Sequence, residues 1–101
     1  MIQRLSDEAI EAHLEQRPAW SRVEGRSAIR REFIFRGFNA AFGFMTRCAI
    51  RAEQLDHHPE WSNVYNRVVV VLSTHDCNGL SELDFQLAAF MDRVADSTDA
   101  T

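Results

Sequence analysis

The chain has 101 residues, of which 46% are hydrophobic, and this length predicts one domain spanning residues 1–101. Its formal net charge of −4 argues against direct nucleic-acid binding, because such proteins display clustered excess lysine and arginine. No apolar stretch reaches the roughly 18–20 residues that cross a bilayer, so we expect no membrane partner. The first residues lack the apolar core of a signal peptide, and the cysteines have no CxxC spacing. Both observations predict a cytoplasmic protein with reduced cysteines. Its small size would also let it enter the nucleus.

The predicted elements begin with a helix that follows Ser6 and ends before Pro18. Ser6 is a favourable N-cap, and proline disfavours helical geometry in the residue before it. Residues 20–24 and 28–35 alternate in polarity and are separated by a glycine-containing turn, which predicts two adjacent strands.

The hydrophobic period then changes, and apolar residues recurring every three or four positions predict a long amphipathic helix over residues 38–55. Its predicted apolar stripe consists of Phe38, Ala41, Phe42, Met45, Cys48, Ala49, Ala52 and Leu55. Gly43 and Ile50 fall on the opposite side of the helix, which suggests a second contact surface. A single exposed isoleucine of no consequence is an equally good interpretation.

Two more strands and a last helix complete the prediction. Residues 61–65 and 68–72 predict strands joined by a tight turn, and the β-branched run 68–72 indicates burial on both faces, in the centre of a sheet or at an interface. Ser81 begins the last helix as its cap, and the polar tail from Asp96 is predicted to be disordered. The order α-β-β-α-β-β-α predicts an α+β fold, an antiparallel four-stranded sheet with helices packed on one face.

Three of the four histidines lie in two short segments, residues 53–61 and 73–76, together with carboxylates and an aromatic side chain. A metal site is the weaker interpretation, since adjacent histidines usually diverge in direction and no HExxH or thiolate ligand spacing is present. A nucleophilic serine is not supported, because the Gly-x-Ser-x-Gly pattern is missing. Histidine both donates and accepts protons near neutral pH, so the pattern favours general acid–base catalysis.

The candidate residues lie at the ends of predicted elements, where side chains reach a shared cleft from a rigid scaffold. His57 and His58 follow the long helix, and His75 follows the most hydrophobic strand. Glu53 precedes His57 by four residues, so one helical turn would place its carboxylate against that imidazole. Trp61 offers a flat apolar wall for a planar ring ligand.

The sequence contains a pattern that begins with a polar residue, Glu53, followed by three spacers and His57-His58-Pro59. The pattern continues with an aromatic residue, Tyr65, a distal histidine, His75, and an aspartate, Asp84. This pattern resembles the signature of the pterin-4a-carbinolamine dehydratases, a family also known as dimerisation cofactors of a hepatocyte homeodomain transcription factor. The similarity extends from about Trp20 to Val94.

The resemblance implies dehydration of a pterin-4a-carbinolamine (4a-hydroxytetrahydrobiopterin) to quinonoid dihydropterin and water, a step in tetrahydrobiopterin recycling that uses no cofactor and no metal. It implies a catalytic site of His57, His58 and His75, in which His57 and His75 transfer the protons and His58 binds or assists, without saying which is acid and which is base. The residues implied to bind the pterin are Asp56, Ser73, Thr74 and Asp76, beside the predicted wall Trp61. Glu53 is implied to orient His57.

The resemblance also implies assembly as homodimers or homotetramers. In animal relatives it implies binding to the dimerisation domain of a homeodomain transcription factor. A non-enzymatic dimerisation cofactor or transcriptional coactivator is therefore the alternative function. Substitutions at Gly43 or Ile50 are expected to disturb assembly, whereas substitutions at His57 are not.

Overall fold

The computed structural model describes residues 2–99 as helices packed against a four-stranded antiparallel sheet. In chain order the elements are α1 (Asp7–Gln16), β1 (Ser21–Arg22), β2 (Ile29–Ile34), α2 (Phe38–Leu55), β3 (Glu60–Val64), β4 (Arg67–Leu72) and α3 (Glu82–Asp99), with a short 3₁₀ turn at His75–Cys77 before α3. The predicted α+β class and the predicted element order are confirmed.

The sheet has the strand order β1-β2-β4-β3, so the valine-rich strand β4 lies between β2 and β3. Its side chains alternate between two environments. Val68, Val70 and Leu72 are buried beneath the helices, whereas Val69 and Val71 are only half-buried. The prediction of a central strand is correct, but burial on both faces is not found within this chain, because the helices cover one face only.

The helix ends follow local chemistry. The Ser6 hydroxyl accepts a hydrogen bond from the Ala9 N–H at 3.2 Å, as expected of an N-cap. Helix α3 continues to Asp99, with Val94 and Ala95 buried. The predicted disorder is therefore wrong for residues 96–99, while residues 100 and 101 lie outside the described residues. None of the helices in residues 2–99 is both long and apolar enough to span a bilayer.

Helix α2 has the predicted bounds but a rotated buried face. The buried residues are Ala41, Phe44, Cys48 and Ala52, whereas Phe38, Phe42 and Ala49 are exposed. The predicted stripe therefore missed Phe44, whose ring lies 4.6 Å from that of Phe33 and 5.0 Å from that of Phe35. Aromatic side chains on β2 and just after it fix which side of the helix faces inward.

Both cysteines are free thiols. Burial raises the pKa of the Cys48 thiol to about 12, so this side chain stays neutral and packs as a small apolar group in the core.

Candidate functional site

A cavity of about 160 Å³ opens where the end of α2 meets the segment between β4 and α3. Its lining residues are Ile2, Asp56, His57, His58, Ser73, Thr74, His75, Asp76 and Leu83. All three histidines of the predicted site thus surround one space, although His75 follows His58 by 17 positions in the sequence. The sheet brings them together because β3 and β4 form a hairpin that returns the chain to the end of α2.

The chain reverses direction sharply where α2 ends. Asp56 has a left-handed backbone, with φ 50° and ψ 45°, and its N–H bonds to the Glu53 carbonyl at 3.1 Å. The His57 N–H reaches back to the Ala52 carbonyl at 3.0 Å. Together these bonds form a Schellman-type helix end, in which otherwise unpaired carbonyls are satisfied. The reversal turns His57 inward and leaves Asp56 at the rim of the cavity.

His57 is a buried histidine with a carboxylate partner. Its Nε2 lies 2.6 Å from Oδ1 of Asp84, and the Asp84 residue is fully buried. An ionised carboxylate only accepts hydrogen bonds, so Nε2 carries the proton in this pair. The contact fixes both the orientation and the tautomer of the ring, and it leaves Nδ1 as the nitrogen that can accept a proton.

The second oxygen of Asp84 is held by two donors. The Thr74 hydroxyl donates to Oδ2 at 2.7 Å, and the Ser81 backbone N–H donates to it at 2.9 Å. The Ser81 hydroxyl in turn accepts from the Leu83 N–H at 3.2 Å, which completes a capping box at the start of α3. Asp84 therefore caps a helix and holds His57 at the same time. The sequence places Asp84 in the family signature and Ser81 at the helix cap, but it did not predict the contact of Asp84 with His57.

Glu53 contacts a different histidine from the one predicted. Its Oε1 lies 2.8 Å from Nε2 of His58, not of His57. The predicted pairing assumed helical geometry up to His57, but the left-handed Asp56 ends the helix first and directs His57 toward Asp84. Both members of the Glu53–His58 pair are exposed, so this contact restrains His58 only weakly.

His75 occupies the opposite wall and is the most open of the three histidines, with 83% of its side chain exposed. Its Nε2 lies 3.8 Å from a carboxylate oxygen of Glu60. A hydrogen bond from Arg26 lowers the pKa of Glu60, so this carboxylate stays charged beside the histidine. The neighbouring Ser73 hydroxyl donates to the Ser27 carbonyl at 2.8 Å, which ties the histidine-bearing segment to the β1–β2 loop.

Trp61 does not line this cavity. It pairs with Val70 across the β3–β4 hairpin, and directly opposed residues share a face of the sheet, so Trp61 is half-buried against the hydrophobic core. The predicted role as the apolar wall is thus not supported. Ile2 and Leu83 supply apolar surface to the cavity instead. Nothing in the spacing of the sequence distinguishes Leu83 as a cavity residue.

A larger cavity, of about 560 Å³, lies between α1 and α3. His13 lines it, stacked on Phe85 at 4.3 Å and 3.1 Å from a Glu82 oxygen. It lacks the convergence of several histidines and carboxylates that marks the smaller cavity, so size alone does not identify the site. Within residues 2–99, no three histidine, cysteine, aspartate or glutamate side chains are grouped so as to hold a metal ion.

The arrangement can therefore move protons at two places. One imidazole is buried and fixed by a carboxylate, and two are exposed to solvent on the rim, where they can exchange protons with water. Carboxylate groups and hydroxyl oxygens between them can accept hydrogen bonds from a polar ligand.

Comparison with known proteins identifies the family of this chain. The family model described as "Pterin 4 alpha carbinolamine dehydratase" matches residues 3–94. A Burkholderia multivorans protein named "Putative pterin-4-alpha-carbinolamine dehydratase" is 57% identical over 95 residues, covering 94% of this chain and 93% of the relative. A Nitrobacter winogradskyi protein of the same name is 56% identical over 95 residues, covering 94% of each chain. The crystal structure of a "transcriptional coactivator/pterin dehydratase" from Brucella melitensis superposes with a TM-score of 0.89 at 49% identity, covering 91% of this chain and 98% of that one.

Proposed function

Because this chain belongs to the pterin 4 alpha carbinolamine dehydratase family and is a dehydratase, we propose that it converts 4a-hydroxytetrahydrobiopterin to quinonoid dihydropterin and water in tetrahydrobiopterin recycling. The observation that carries the proposal is the convergence of His57, His58 and His75 on one cavity. We propose that catalysis there is by general acid and base groups of the protein.

The reaction breaks the C–O bond at the ring carbon that bears the hydroxyl. The leaving oxygen gains a proton, the adjacent ring nitrogen loses one, and the electron pair left on that nitrogen forms the new C=N bond. One acid and one base are thus sufficient, and atoms and charge balance without any other reactant.

The two walls of the cavity suit different roles. His57, whose Nε2 proton is held by Asp84, presents Nδ1 as an acceptor and suits the base. His75 is exposed and can draw a proton from solvent, which suits the acid that protonates the leaving hydroxyl. We propose that His58 assists in binding, together with Asp56, Ser73, Thr74 and Asp76.

Stopped-flow dehydration of synthetic carbinolamine tests the assignment. His57→Ala and His75→Ala are each expected to lose about 10²- to 10⁴-fold in kcat, since that is the usual contribution of a positioned acid or base. His13→Ala is the matched control, because His13 lies outside this cavity and its loss should leave turnover intact. Wild-type turnover in both His57 and His75 variants would remove the acid–base assignment.

A second candidate function is that of a dimerisation cofactor for a transcription factor. It is favoured by an exposed apolar surface on α2, formed by Phe38, Phe42 and Ile50. We propose that this α2 surface is covered by another copy of the chain in a homodimer or homotetramer, and that a homeodomain protein's dimerisation domain is an alternative occupant. The cytoplasm, with access to the nucleus, is the proposed location for both functions.

A further inference from the structure

A second polar cavity, of about 300 Å³, adjoins the histidine cavity. Its lining residues are Arg4, Arg26, Ser27, Ser73, Thr74, His75, Asn78 and Gly79. The two cavities share Ser73, Thr74 and His75, so they lie on either side of one short segment. A ligand held beside His75 would therefore have this space as its immediate neighbour.

The second cavity carries positive charge on a chain whose net charge is −4. Glu60 offsets Arg26 through two hydrogen bonds of 2.8 and 2.5 Å. Arg4 has no such partner: within residues 2–99 no carboxylate lies within 4.0 Å of its guanidinium. The Asn78 side chain also makes no hydrogen bond in this part of the chain, so an uncompensated cation and an amide remain available to a ligand.

The position of Arg4 depends on the glycine beneath it. The Leu5 N–H bonds to the Leu80 carbonyl at 2.8 Å, which docks the N-terminal segment beside the loop that follows the 3₁₀ turn. A Cβ at Gly79 would lie 2.9 Å from Nε of Arg4 and 3.1 Å from its Cγ and Cδ. The lack of a side chain at Gly79 therefore lets the Arg4 side chain lie flat across the loop.

The size of the histidine cavity indicates where a substituent must go. About 150 Å³ is enough to hold one benzene molecule, so a cavity of about 160 Å³ encloses little more than one six-membered ring. A two-ring pterin is larger than that, so part of the ring system and any group attached to it extend beyond this cavity. The adjoining cavity shares Ser73, Thr74 and His75 with the histidine cavity, so it is the neighbouring space for a group that extends past His75.

We infer that the arginine-lined cavity binds an oxyanion carried by the substituent of the pterin, with a phosphate ester as the chemical class that fits it. Guanidinium groups bind phosphate oxygens through paired, charge-assisted hydrogen bonds, and Arg4 is placed to do so. The inference rests on the proposed pterin site and adds a second ligand class to it: pterins with an anionic substituent, expected to bind more tightly than pterins such as 4a-hydroxytetrahydrobiopterin, whose substituent is neutral.

Equilibrium binding of two stable, oxidised pterins tests the inference without requiring turnover. The probes are 6-hydroxymethylpterin and its phosphate monoester, with affinity read from quenching of pterin fluorescence. The ester is expected to bind about 10- to 100-fold more tightly to the wild-type protein, the usual effect of a charged hydrogen-bonded pair. Arg4→Gln should remove most of that difference and leave the affinity for the alcohol unchanged.

Two further variants test whether the preference for the ester depends on the position of the Arg4 side chain or only on the net charge of the protein. Gly79→Ala keeps every charge but displaces the Arg4 side chain, so it too should reduce the preference for the ester. Arg93→Gln removes one positive charge from α3 outside both cavities and should keep the preference intact.

Equal affinity of the wild-type protein for ester and alcohol would overturn the inference and leave the dehydratase proposal standing. Binding of inorganic phosphate with no advantage for the ester would also overturn it, because the cavity would then serve a free anion. Failure of both pterins to bind would remove the proposed pterin site and the inference together.

Discussion

Asp84 is the residue on which the geometry of the site depends most. One of its oxygens accepts from His57 and the other accepts from Thr74 and Ser81, so every contact of this buried carboxylate has a defined donor. Because both carboxylate oxygens are acceptors, His57 must carry its proton on Nε2, the nitrogen that faces Asp84.

We predict that Asp84→Asn lowers kcat by about 10²-fold or more while the fold is retained. Two donors converge on Oδ2, so the carbonyl of the new amide must take that place and its NH₂ group must face His57. The ring would then have to accept at Nε2 and carry its proton on Nδ1, which is the wrong tautomer for a base. The ¹⁵N chemical shifts of the imidazole would report the change directly.

Asp92→Asn is the control for this variant. Asp92 lies on the same helix and accepts from Trp20 and Arg31, away from the cavity. Its replacement should lower stability and preserve turnover. An Asp84→Asn protein with the wild-type tautomer and wild-type kcat would contradict the positioning role.

The sequence predicted correctly which histidines lie around one cavity, but it did not predict correctly which carboxylate contacts which histidine. His57, His58 and His75 were expected to share a cleft, and they do. The Glu53 contact was predicted for the wrong histidine, because residue spacing assumes that the helix continues to His57, whereas the left-handed backbone at Asp56 ends it and turns His57 toward Asp84.

At the scale of elements, the bounds of α2 could be predicted from its own sequence, whereas its buried face depends on residues outside the helix. Its bounds were predicted at Phe38 and Leu55, because helix length is encoded in the local periodicity. Its buried face was predicted only in part, since apolar residues occupy more than half of its circumference: Ala41, Cys48 and Ala52 are buried as expected. Whether Phe42 or Phe44 faces inward depends on Phe33 and β2, which no pattern within the helix reveals.

A charge pair links the β1–β2 loop to the start of β3, and it predicts a pH-dependent stability. The hydrogen bond from Arg26 holds the pKa of Glu60 below its ordinary value of 4.5. A carboxylate whose pKa is lowered by folding stabilises the folded state above that ordinary value and loses this effect as pH falls through the lowered value. Glu60→Gln should thus reduce Tm slightly at neutral pH and not at strongly acidic pH.

Thermal unfolding followed by circular dichroism across this pH range measures the difference. Glu24→Gln is the matched control, because Glu24 is exposed and has no ion-pair partner among residues 2–99. A Tm difference between wild type and Glu60→Gln that stayed constant with pH would show that the pair does not contribute.

At the scale of the whole molecule, the cavities with the histidines and arginines are separate from the exposed α2 surface. We predict that Ile50→Asp shifts the protein to smaller species in sedimentation velocity, because a buried charge would oppose contact between α2 surfaces. Turnover per folded chain should change far less than in His57→Ala, since Ile50 lies outside the cavity.

Ile34→Asp is a closely matched control. Ile34 is 57% exposed and Ile50 is 59% exposed, but Ile34 lies on the sheet face that the helices leave open. Dissociation caused by Ile34→Asp alone would assign the interface to the sheet and not to α2. If the Ile50→Asp protein kept the wild-type oligomeric state, α2 would not form the contact between copies of the chain.

The left-handed backbone at Asp56 places a limit on attempts to make this protein more thermostable. Glycine adopts that conformation without the roughly 1–2 kcal/mol that other residues incur, so Asp56→Gly is an obvious stabilising substitution. Yet the same position supplies a negative charge at the mouth of the histidine cavity. A variant made more thermostable at this turn would therefore lose part of the polar surface that is proposed to bind the pterin.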